Sequence, residues 1–182
     1  MLGFATPIIP PGFGMNRPQA SLNVRPAQVS DLADLVRFQC AMAEETEGRS
    51  LDPEVARKGV AAVFEDPAKG QYFVVEENGR VLASLMVTRE WSDWRNAWFW
   101  WIQSVYVQPQ ARRRGCYRRL HQEVRRQARQ DPQVCGIRLY VDRQNQSAQE
   151  VYRKAGMDAC DYRLYEEDYA LGTHRRGEST AS

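Results

Sequence analysis

Val105-Tyr106-Val107-Gln108-Pro109-Gln110-Ala111-Arg112-Arg113-Arg114-Gly115-Cys116-Tyr117-Arg118-Arg119-Leu120 is the stretch whose reading decides the fold. Its first residues are β-branched and aromatic and read as a strand, Pro109 breaks the run, and Leu120, Val124 and Ala128 beyond Gly115 carry a helical spacing. A strand that enters a basic turn and leaves it as a helix gathers unpaired N–H groups and the positive end of the helix dipole at one spot. That arrangement holds phosphate. Gly115 lets a diphosphate come close to the backbone, and Arg112, Arg113 and Arg114 supply more charge than a single phosphate needs. No Gly-Lys-Ser/Thr follows, so this is not a Walker loop. Taken alone, an arginine-rich run is more often a solvated helix start.

Downstream, residues 137–141 are apolar enough for a buried strand, and 147–155 form a helix stopped by Gly156. Strand, helix and strand from Trp98 to Val141 make a βαβ unit, which demands parallel pairing. Upstream, a short strand at 22–25 precedes a helix that starts at Ser30-Asp31 and carries Leu32, Leu35 and Val36. An acidic loop, Glu44-Glu45-Thr46-Glu47-Gly48, leads to a second helix between Asp52-Pro53 and Asp66-Pro67. Strands at 71–76, 80–89 and 97–107, with an Asn78-Gly79 hairpin turn, read as an antiparallel meander, and residues 157–167 are strand-like. The expected domain is 21–168, behind a Pro/Gly-rich disordered leader, 1–20, in which Met15 is an alternative start, and ahead of a polar disordered tail, 169–182.

Asn145 lies in the turn after the buried strand, and Tyr152 on the next helix, in the run Asn145-x-x-Ala148-x-x-Val151-Tyr152-x-x-x-Gly156. Singly, one is a turn residue and the other a core aromatic. In this order behind Arg112-x-x-Gly115-x-Tyr117, they resemble the GNAT superfamily of acetyl-CoA-dependent N-acetyltransferases, over residues 22–167. Tyr117 stands where that family has a small residue. The resemblance implies an α/β fold: a mixed, mostly antiparallel twisted sheet of about six to seven strands, helices on both faces, and one parallel βαβ pair at the cofactor site. It implies acetyl-CoA as cosubstrate, bound by Val105, Val107, Arg112, Arg113, Arg114, Gly115, Cys116, Tyr117 and Asn145, with the Tyr152 hydroxyl facing the sulfur.

Acyl transfer from a thioester to an amine needs a polarised carbonyl, a neutral amine and a leaving thiolate that is stabilised. Strands splayed beyond Val107 would leave N–H groups near Val105 and Val107 to bind the acetyl oxygen. Tyr152, a phenol of ordinary pKa near 10, suits the thiolate. A nucleophilic role for Cys116 at the helix start ranks below packing. Relatives place a carboxylate on the fourth strand, whereas this chain reads Trp100-Trp101-Ile102-Gln103-Ser104 there. Glu47 and Glu90 are the candidates to bind the amine or order a water, while Glu44 and Glu45 read as a solvated loop. The five tryptophans all fall between Trp91 and Trp101; sheet packing explains them first, and an aromatic wall beside acids would also suit a small cationic amine.

Composition closes other routes. Twenty-five Lys+Arg against 23 Asp+Glu give a formal net charge of +2, too little for a general nucleic-acid coat. No apolar run is long enough to span a membrane, and there is no secretory leader pattern, so a soluble cytoplasmic protein is expected. Cys40, Cys116, Cys135, Cys160, His121 and His174 are too scattered for a metal site. The expected partner is a small-molecule amine, not nucleic acid or membrane, and a homodimer is compatible with the sequence. Two other readings stand beside the enzyme: an acetyl-CoA-binding sensor that transfers nothing, and a nucleic-acid binder using the arginines of 112–129.

Overall fold

The computed structural model describes residues 21–167 and 169. The expected leader, 1–20, and all of the expected tail except Tyr169 lie outside the described residues. Among the described residues there are two compact units, which divide between Asp142 and Arg143.

In the first unit, five strands form one sheet in chain order: β1 (Asn23–Pro26), β2 (Gln71–Glu77), β3 (Arg80–Ser92), β4 (Ala97–Val107) and β5 (Val134–Leu139). The first three pairings are antiparallel and β4–β5 is parallel. Among the described residues, three α-helices belong to this unit: α1 (Leu32–Glu47), α2 (Pro53–Glu65) and α3 (Cys116–Gln130). Strand alternation sorts the core. Phe73, Val75, Ala83, Leu85, Trp100 and Ile102 meet Cys116, Leu120, Val124 and Ala128 of α3 on one face. Tyr72, Val74, Val81 and Tyr106 meet Leu35 and Phe38 of α1 and Val60 of α2 on the other. Each fully buried leucine or valine contributes about 1.5–3 kcal/mol.

Local chemistry sets the ends. The Asp52 carboxylate accepts from the Glu54 N–H at 2.8 Å, with Pro53 in the first turn of α2. Asn78 and Gly79 both have positive φ, 52° and 74°, as a tight hairpin between β2 and β3 requires. Arg25 of β1 donates to Asp31 at 2.6 Å and to Glu76 of β2 at 2.7 Å, tying the sheet edge to the start of α1.

Three expectations change. The acidic stretch is no loop: α1 runs through Glu44, Glu45 and Glu47 and stops at left-handed Gly48, φ 63°. Alanine, methionine and glutamate sustain a helix, and the glycine ends it. The strand expected at 137–141 starts at Val134 and ends at Leu139, and Tyr140 and Val141 are exposed. The sheet has five strands among the described residues, not six to seven, since 157–167 forms none. Within that segment Tyr162 and Tyr165 are exposed.

In the second unit, α4 (Gln146–Lys154) is capped by Asn145, whose side-chain oxygen accepts from the Ala148 N–H at 3.0 Å and the Ser147 hydroxyl at 2.9 Å.

Candidate active site

β4 outruns its parallel partner. Pairing with β5 ends at Ile102–Leu139, and Gln103 to Val107 continue alone on that side. On the β3 side the ladder carries a bulge: Ser84 faces Tyr106 and Met86 faces Gln103, so Leu85 alone opposes Ser104 and Val105, with Ser104 at φ 50°. The Gln108 N–H donates to Leu82 O at 3.0 Å, which fixes the direction of the neighbouring amides. By antiparallel alternation Tyr106 turns its backbone toward β3, and Val105 and Val107 turn theirs away, into the opened side. Val107 O accepts there from Arg112 Nε at 3.1 Å.

Beyond Pro109 the chain enters α3 through Arg113 at φ 63° and Gly115 at φ 82°. No side chain caps that helix start, and a Cβ on Gly115 would meet nothing within 4 Å. First-turn amides without a side-chain cap, a left-handed glycine and open space beside it fit a coenzyme A diphosphate. Two of the three arginines are already engaged: Arg112 donates to Glu45, and Arg114 to Glu77 at 3.1 Å. Arg113 has no ion pair among the described residues. Cys116 is buried with Sγ 3.5 Å from Ala111 O, and burial pushes its thiol up, which makes it a packing residue and no nucleophile. The ring of Tyr117 lies 5.9 Å from that of His121.

The expected carboxylates separate. Glu47 stands on the exposed last turn of α1 with Arg49, 3.9 Å away, and is not brought to β4. Glu90 accepts from Trp101 Nε1 and from Arg138 at 3.0 Å, and it stands opposite Phe99, about 20 Å along β4 from Val105 at strand rise. Arg138 covers Phe99 at 3.6 Å, and Trp101 lies against Tyr140 at 4.4 Å. Glu45 does reach β4: one oxygen accepts from the Tyr106 hydroxyl at 3.0 Å and the other from Arg112. The Arg112 guanidinium holds the Glu45 carboxyl below its ordinary range, and burial, with Glu45 beside it, raises the Tyr106 phenol. Asn145 and Tyr152 lie in the second unit, where burial raises the Tyr152 phenol.

Comparison with known proteins bears on this geometry. The model of the Acetyltransferase (GNAT) family matches residues 33–157. The chain belongs to the GNAT acetyltransferase family. The acetyltransferase is 40% identical to a solved "possible acetyltransferase" from Clostridium difficile 630, over 82% of this chain and 98% of that one, with a TM-score of 0.77. At 22% identity it shares its fold with an integron cassette protein from the Cole Harbour Salt Marsh metagenome (TM-score 0.71, 81% and 90% of the chains). At 18% identity it shares it with a "predicted acetyltransferase" from Clostridium acetobutylicum solved with acetyl-CoA (TM-score 0.66, 81% and 96%). No curated protein matches.

Three features of this acetyltransferase escape sequence reasoning. The bulge at Ser104 has no signal beyond a small polar residue in an aromatic strand. Arg138 joins Glu90 only because β5 pairs in parallel register with β4, Arg138 beside Trp101. Glu45 is hidden in a charge run that looks solvated, and only the continuation of α1 aims it at Tyr106. Among the described residues no group of three or more His, Cys, Asp or Glu could hold a metal, and no helix is long and apolar enough to cross a membrane.

Proposed function

We propose that this acetyltransferase moves the acetyl group of acetyl-CoA directly to the primary amine of a small, cationic acceptor, with no covalent enzyme intermediate. The observation that carries the reading is the pair of amides, Val105 and Val107, turned into the opened side of β4 immediately ahead of α3, whose start has no side-chain cap. An acetyl oxygen held there gains charge-assisted hydrogen bonds as the carbonyl becomes tetrahedral, each worth about 2.7–4 kcal/mol in the transition state. Gly115 and the arginines hold the diphosphate, with Asn145 a coenzyme ligand on the family pattern. The same pattern gives Tyr152 the leaving thiolate, and a phenol raised by burial stays protonated at neutral pH and is fit to donate. Glu90 is paired with Arg138 and stands far along β4 from the Val105 and Val107 amides, so it takes no part in the transfer.

A thiol-release assay across polyamines, amino acids, aminoglycosides and short peptides tests this. At least one amine is expected to turn over, and Tyr152→Phe to slow it by about a hundredfold without changing coenzyme A affinity. Coenzyme A binding with a blank acceptor screen would replace the enzyme with a sensor.

A further inference from the structure

The Arg112 guanidinium joins three parts of the first unit: it donates to Val107 O at the open end of β4, belongs to the basic turn, and pairs with Glu45 at the end of α1. Glu45 in turn holds the hydroxyl of Tyr106, the residue between the two amides aimed at the acetyl oxygen. We propose that Glu45 is the carboxylate that takes the acceptor amine's proton, and that coenzyme binding frees it by drawing Arg112 onto the diphosphate.

This rests on the transfer reading above. Both side chains are exposed to nearly half, so the Glu45–Arg112 pair exchanges partners readily, and a doubly charged diphosphate outcompetes one carboxylate for the guanidinium. The groups facing Glu45 from packed elements are Tyr106 on β4 and Arg112 on the turn; on its own helix stand Glu44 and Glu47, the latter tied to Arg49. With Arg112 drawn away, Glu45 keeps the Tyr106 hydroxyl and has one oxygen free on the face of β4 that carries α1. The proton balance is complete. One proton of the ammonium passes to Glu45 and then to solvent, and the lone pair so freed forms the C–N bond. The C–S bond breaks with its electron pair on sulfur, and sulfur takes the second proton. Tyr106 is a positioning residue that fixes the carboxylate against the strand.

Glu45→Gln separates this role from a structural one, with its melting temperature checked against wild type. Calorimetry should show coenzyme A binding about 1.5- to 5-fold tighter, because Arg112 has lost a competitor. In the thiol-release assay, kcat/KM for the acceptor should fall by about 10²–10⁴, with loss of the acid limb of its pH profile, and Glu45→Asp should recover part of the rate. Wild-type transfer by Glu45→Gln overturns the proposal, as does coenzyme affinity that falls in step with the rate, which would make Glu45 only a clamp on Arg112. A wild-type protein that neither binds coenzyme A nor releases thiol overturns the transfer reading itself.

Discussion

Gly115→Ala isolates the phosphate cradle from the rest of the fold. The residue sits at φ 82°, and a Cβ there would touch no protein atom within 4 Å, so the cost to stability is conformational alone, about 1–2 kcal/mol. For a chain of this length that lowers the melting temperature by about 2–8 °C. The methyl group also projects into the space beside the α3 start that a diphosphate would fill. Losing one close charge-assisted hydrogen bond costs about 1.5–3 kcal/mol, or roughly ten- to a hundredfold in Kd. Gly79→Ala is the matched control: φ 74°, again nothing within 4 Å, but in the β2–β3 turn. Thermal melts should show similar losses for both variants, and calorimetry with coenzyme A should show weakened binding for Gly115→Ala only. Equal coenzyme affinity in the two variants would refute the placement of the diphosphate at Gly115.

Further tests concern the frame around the site. Gly136→Ala puts a Cβ 2.7 Å from Phe99 Cε1 and 3.1 Å from its Cδ1, so urea unfolding should show a loss of about 1–3 kcal/mol. An unchanged midpoint would mean the ring swings aside. The Arg25 guanidinium, together with the Gln28 N–H and against the cost of burial, holds the Asp31 carboxyl below its usual value of 3.8. Because the folded value lies below the unfolded one, the stabilisation is complete above about pH 4 and is lost as pH falls through the folded value. Asp31→Asn should therefore be less stable than wild type at pH 7, by about 1–3 kcal/mol, with the gap closing in acid. A gap that stays constant from pH 7 down to the onset of acid unfolding would contradict this assignment.

Much of the frame is legible from local signals. Leu120, Val124 and Ala128 at intervals of four name the buried stripe of α3, and Cys116 extends it by one turn. Asn78-Gly79 gives a hairpin because only residues at ease in left-handed conformations close so short a turn. Trp100 and Ile102 share a face with α3, as period-two alternation requires. The site is legible only where it is built from backbone: the turn at Gly115 and the strand before it. Its carboxylates are not, because a glutamate in a charged run carries no mark of which way its helix or strand will turn it.

By itself the sequence determined the order of elements through residue 155, the parallel crossover from β4 to β5, and the basic glycine turn at the start of α3. Hydrophobic period, glycine and proline act on near neighbours along the chain. The tertiary structure decided that β4 bulges at Ser104 and outlives its partner, that Arg138 rather than an open face meets Glu90, and that Glu45 rather than Glu47 reaches Tyr106. The two side-chain contacts join residues 48 and 61 positions apart, and strand register and helix length fix them, since a shift of one residue would turn each side chain to another face.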